Sequence, residues 1–196
     1  MINKGYSLEE MSKKLKRSKA SMNRKRFRIM NNKGDVIVVS PGKKFEEDFR
    51  KSVPKGHWVY RFKDGTGNFS GTKNENVRFQ AKNICDFEVM GDKYLFLLEL
   101  KSHTGSSIPF SCIRNNQIVG MSEVKHKNIK ALFILNFRDK EKTYAVYAND
   151  LREYMSSTDR KSIPINWVED NGIEIKSQKK KVRYGYDLES FFKKIK

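Results

Sequence analysis

A chain of 196 residues, 37% apolar and 12% aromatic, is long enough to bury one good core and too apolar for wholesale disorder. No apolar stretch approaches the ~20 residues of a membrane span and no signal-peptide pattern opens the sequence. Cys85 and Cys112 offer neither a disulfide framework nor metal-ligand spacing, so the reducing cytoplasm is the expected compartment.

The formal charge of +18 is unevenly spread. Residues 1–33 hold eleven Lys/Arg against two Glu, and residues 176–196 hold eight against two acids, which leaves the long middle near neutral at +3. Basic ends around such a core read either as a footprint for a polyanion, nucleic acid above all, or as two solvated tails. In the first segment, Leu8, Met11 and Leu15 have helical spacing, with Ser7 as a cap and Glu10 in the capping-box position. Ser18 is placed to cap a second helix carrying Met22 and Ile29. Arg17, Lys19, Arg24, Lys25, Arg26 and Arg28 surround this pair, the order of a helix-turn-helix that reads DNA. The turn lacks a Gly, however, and Arg26 stands where an apolar residue is expected. Residues 1–33 are therefore either such a module or a basic arm that orders on DNA, joined through the linker NNKGD to a core over 34–196.

GKKFEEDFRKSV reads as an amphipathic helix with Phe45 and Phe49 on one face, and HWVYRF alternates like a strand. The Gly- and Asn-rich stretch from Lys63 to Phe79 is a long loop or an extended hairpin. Strands over Asp86–Met90 and Tyr94–Lys101, separated by GDK, should pair as a hairpin. A helix over about Cys112–Val124 follows, then the strands ALFILNF and TYAVYA, the helix ANDLREYM, and a last helix capped by Asp187. Trp58 and Trp167 could stack on unpaired bases, with core packing the expected role of both, and KSQKKKVR is a basic tail, with Lys179, Lys180 and Lys181 either contacting phosphate or solubilising the chain. This order of elements is α/β with a mixed central sheet flanked by helices.

Chemistry concentrates in YLFLLELKS. So dense an apolar run predicts a central strand buried on both faces, yet Glu99 and Lys101 end it, side by side on one face. The hairpin brings Asp86 to the same end of the sheet. Two carboxylates meeting there raise each other's pKa unless a cation sits between them. In a basic, phosphate-seeking chain that suggests Mg²⁺ on Asp86 and Glu99, with Lys101 orienting a water for attack on phosphorus.

From Gly42 to about Ile175 the chain resembles the RecU-type Holliday junction resolvases, members of the PD-(D/E)xK restriction-endonuclease-like nucleases. GKKFEEDF, CDFEVMGDKYLFLLELK, IPFSCIRNNQIVGM and RKSIPINWVEDNGIEI carry the resemblance, and the Asp-to-Glu-to-Lys spacing equals the family's. It implies a restriction-endonuclease-like fold in which Asp86 and Glu99 hold Mg²⁺, with Mn²⁺ able to substitute, and Lys101 is catalytic. Gln117 matches the family's helix glutamine, and Glu46 the first-helix acid that completes the metal shell. Residues 54–83 cover the stalk that enters the junction, which assigns Arg61, Lys63 and Lys73 to DNA contact. Cys85, Leu97 and Asn116 depart from the family pattern, which puts auxiliary ligands in question and leaves the triplet intact.

The resemblance implies a homodimeric, metal-dependent endonuclease that resolves four-way DNA junctions by paired nicks during recombination, with the cytoplasm as the expected compartment; the small size and the appended basic module suit a phage-encoded version. Two rivals stand beside it: a sequence-specific restriction-like or nicking nuclease, and a non-catalytic DNA-binding regulator on a nuclease fold.

Overall fold

The computed structural model describes residues 27–30, 36–62, 67–68, 78–79 and 83–195, with side chains over 40–62 and 83–195. The chain divides after Lys44 into two compact units. In the first, strand β1 (Phe27–Met30) pairs antiparallel with β2 (Val36–Val39), Phe27 opposite Val39 and Met30 opposite Val36. This corrects the second N-terminal helix at its end. Arg28 and Ile29 lie in a strand, because FRIM and VIVV are rich in β-branched and aromatic residues that suit pleated pairing better than a helix. The rest of the expected helix pair, with Arg17, Lys19, Arg24, Lys25 and Arg26, lies outside the described residues.

The second unit is built on a six-stranded mixed sheet. Its strands are β3 (Trp58–Arg61), β6 (Phe87–Met90), β7 (Leu95–His103), β9 (Ile129–Phe137), β10 (Lys142–Tyr147) and β12 (Ile173–Glu174), in the order β12-β10-β9-β7-β6-β3; β8 (Ser107–Pro109) and β11 (Ser162–Pro164) form a separate antiparallel pair. The pair β7/β9 is parallel and the other pairs are antiparallel. The intervening parallel crossover carries helix α2 (Asn115–Ser122), entered through a 3₁₀ turn at Phe110–Cys112, so the expected helix is two shorter pieces. Two two-residue strands, β4 (Gly67–Asn68) and β5 (Arg78–Phe79), pair within the stretch expected as a loop or hairpin.

Period-two alternation sends the side chains of β7 to two separate cores. Phe96, Leu98 and Leu100 face the first, with Phe45 and Phe49 of helix α1 (Pro41–Arg50). Helix α5 (Leu188–Lys194), capped by Asp187 accepting from the Ser190 N–H at 3.1 Å, adds Phe191 and Phe192. Leu97 faces the second core, closed by Ile118 and Met121 of α2, Leu151 of α3 (Ala148–Ser157) and Val168 of α4 (Ile165–Asn171). Each fully buried Phe or Leu in these layers contributes ~1.5–3 kcal/mol through burial.

Two further expectations are corrected in this unit. The basic segment from Lys176 is no tail. Strands β13 (Ser177–Lys179) and β14 (Tyr184–Tyr186) form a hairpin, with Lys180 and Lys181 in its turn. The Tyr184 N–H donates to Asp48 Oδ2 and the Tyr186 N–H to Ser52 Oγ, which tie the hairpin to α1 and its C-terminal end. Trp58 is not core: it is 54% exposed because β3 is the edge strand. Trp167 does pack inward, stacked on Tyr154 at 4.2 Å.

Candidate active site

Asp86 sits one residue before β6 yet is held in sheet register. Its N–H donates to the Leu98 carbonyl at 3.0 Å, and its own carbonyl accepts from the Phe62 N–H at 2.9 Å. Its side-chain Oδ2 accepts from the Leu100 N–H at 2.9 Å. Hairpin pairing, with Phe87 opposite Leu98, thus delivers Asp86 beside Glu99, as the spacing predicts.

Glu99 is 1% exposed in the middle of the central strand. Its Oε1 receives Lys101 Nζ at 2.6 Å and Gln117 Nε2 at 2.6 Å. The amide oxygen of Gln117 in turn accepts from Lys101 Nζ at 3.0 Å and from the Arg114 N–H at the start of α2. Gln117 therefore bridges the acid and the ammonium. Glu99 Oε2 is buried and has no hydrogen-bond partner, a costly state for a carboxylate.

The electrostatics follow from this geometry. Burial, and then repulsion from Asp86, raise the Glu99 carboxyl to about 7 against the pull of Lys101 and Gln117. Burial likewise raises Asp86 to about 6, opposed by the Leu100 N–H and assisted by the charge of Glu46. The neighbouring Cys85 thiol is pushed up to about 12 by burial, so it is no nucleophile.

Of the residues singled out in the sequence, Asp86, Glu99, Lys101 and Gln117 come together. Glu46 stands near enough for Asp86 to feel its charge, but its Oε2 is gripped by the Arg61 guanidinium at 2.5 and 3.1 Å. Among the described residues, no three His, Cys, Asp or Glu side chains gather as a metal-holding group, so Glu46 is not in a ligand set with the other two here. Arg61 itself is engaged inside the protein. Lys63 and Lys73 lie outside the described residues, and of Arg28 only the backbone is described. Lys180 lines a basic concavity with Lys51, Lys176 and Arg183.

Sequence reasoning missed what docks α2. The Asn116 amide donates to the Asn83 carbonyl at 3.1 Å. A Cβ on Gly120 would lie 2.7 Å from Ile84 Cγ2, so glycine lets the helix approach the segment leading into Asp86 without displacing the Ile84 side chain. The "NNQIVG" string contains both residues, but no local signal says what they touch. Also missed was the polar network after Lys101: Arg138 Nη1 donates to the Ser102 carbonyl and Oγ, Ser102 Oγ donates to Asn136, and Asn136 donates to Thr143. It fixes the end of β7 against β9 and β10.

Comparison with known proteins gives two findings. The family model described as RecU, Recombination protein U, matches residues 66–187, a span that contains Asp86, Glu99, Lys101 and Gln117. The chain is also 34% identical over 164 residues to the SPbeta prophage-derived uncharacterized protein YotM of Bacillus subtilis (strain 168), covering 75% of this chain and 82% of the relative.

Proposed function

This chain belongs to the RecU family, and from that premise we propose that it is a Mg²⁺-dependent endonuclease that resolves four-way DNA junctions by paired nicks during recombination. The family implies a DNA-acting nuclease, and the prophage-derived relative fits a phage-borne version working in its host's cytoplasm. No described helix is long and apolar enough to cross a membrane.

One observation carries the metal-dependent part: the buried Glu99 Oε2 has no donor, beside a second carboxyl also held above its usual range. That is a deficit of positive charge with oxygen ligands already converged on it, and it fits a hard divalent cation. Asp86 and Glu99 would hold Mg²⁺, or Mn²⁺ in its place. Such an ion supplies Lewis-acid polarisation of a phosphoryl oxygen and lowers the pKa of water.

The chain's own residues do the rest. Lys101 lies at the solvent edge of the site, with two of its three ammonium protons given to Glu99 and Gln117 and the third left to donate to the attacking water and orient it. Gln117 positions both Glu99 and Lys101 from the N-terminal turn of α2. The intact Asp86, Glu99 and Lys101 set favours an enzyme over a non-catalytic binder. Two nicks related by symmetry call for two sites, hence a homodimer.

The test is Asp86→Asn, assayed on a synthetic four-way junction beside matched linear duplex with Mg²⁺. Cleavage of the junction should fall by orders of magnitude while binding persists, since affinity comes chiefly from Lys/Arg contacts to phosphate. A variant nicking junctions near the wild-type rate would end this reading.

A further inference from the structure

The edge strand β3 carries Trp58 and Tyr60 on one face, and the same alternation continues to Phe62. Trp58 is 54% and Tyr60 46% exposed. Their rings are nearly parallel, 6° apart in plane and 6.0 Å between centroids, and Tyr60 meets Phe62 edge-on at 5.2 Å. Opposite them on β6, Trp58 faces Met90, itself exposed, and Tyr60 faces the half-buried Glu88. Asp86 is next in the same alternation, and the Phe62 N–H donates to its carbonyl. Three rings thus step along one sheet face and end at the proposed metal site.

Natural edge strands usually defend themselves with charge or proline, and presenting stacked aromatics there needs a reason. We propose that Trp58, Tyr60 and Phe62 form a stacking track for unpaired bases of the DNA strand that enters the acidic site; this rests on the nuclease reading above. Several features select nucleotides as the occupant. The segment KGHWVYRFK contains no acid and brackets its rings with Lys55 and Lys63, in a chain of net charge +18. Aromatic faces flanked by cations are how sequence-tolerant single-strand binders hold bases, whose π-faces are hidden in paired duplex and open at a branch point. The rings contact one another already, so little side-chain freedom is lost when a base stacks on them.

The experiment compares binding of the full chain to two fluorescein-labelled DNAs in EDTA, one fully paired and one of equal length with unpaired arms. Trp58→Ala and Tyr60→Ala should each weaken binding to the unpaired-arm DNA by ~10-fold or more, the scale of losing one stacked base. Paired duplex should be held as before and the salt dependence unchanged, because no phosphate contact is lost. Trp58→Phe should restore most of the affinity. Equal losses on both DNAs would overturn the proposal. So would a fall in oligomer mass by sedimentation equilibrium, which would make the patch a protein contact. A wild-type chain that binds no DNA would instead sink the nuclease reading along with it.

Discussion

Glu99→Gln should stabilise the metal-free protein at pH 8 while abolishing cleavage. In the folded chain the Glu99 carboxyl is raised from 4.5 to about 7, so the folded state holds its proton more tightly than the unfolded state does. Stability from this group is therefore greatest below about pH 4.5, falls as pH rises, and levels off above about 7. At ~1.4 kcal/mol per pH unit the fully ionised carboxylate costs roughly 3 kcal/mol. Glutamine is isosteric with the protonated acid, keeps an oxygen for Lys101 and Gln117, and never ionises. The pull of Lys101 is already contained in that value; the amide NH₂, buried where Oε2 has no partner, offsets part of the gain, leaving about 2 kcal/mol at pH 8 and close to none near pH 4.5. For a chain of this size that is ~4–8 °C in Tm. Thermal and urea unfolding in EDTA at the two pH values would measure it. Mg²⁺ should then raise the Tm of the wild type, because it binds only the folded state, and leave the variant unmoved. Equal destabilisation by Glu99→Gln at both pH values would refute the reasoning, since Glu99 would then be a structural partner for Lys101 and no metal ligand.

Lys101→Met should remain folded and bind junctions tightly, yet cut at least ~100-fold slower in single turnover, the scale of one well-placed catalytic group; a merely unfolded variant would make the lysine structural. Gln117→Leu removes the bridge between Glu99 and Lys101, and the single-turnover rate should drop ~10–100-fold with unchanged DNA affinity, as for other residues that orient a metal site. A rate equal to wild type would mean that Gln117 only fills space. Deleting residues 1–26 takes away nine Lys/Arg and two Glu. DNA affinity should weaken and its salt slope flatten by ~0.9 per lost phosphate contact, while chemistry at saturating protein persists. An unaltered slope would assign this segment to a partner other than DNA.

The sequence by itself determined the hairpin that carries the candidate site. An apolar run interrupted by Glu-x-Lys has few structural solutions, because a buried strand tolerates such charges only where they meet partners. The fixed period of two then settles that Glu99 and Lys101 share a face while Leu98 and Leu100 take the other. The cap of α5 at Asp187 was equally local. Other features were decided only when distant elements met. HWVYRF alternates like any half-buried strand, and nothing within it says that it lies at the sheet edge, where Trp58 and Tyr60 face outward. The grip of Arg61 on Glu46 joins two elements, and the hairpin after Lys176 hangs on Asp48 and Ser52, 136 and 134 residues from their partners. Composition alone made that hairpin a tail. Periodicity encodes which face of an element is apolar, whereas strand order and helix docking decide what each face meets, and those depend on the whole chain at once.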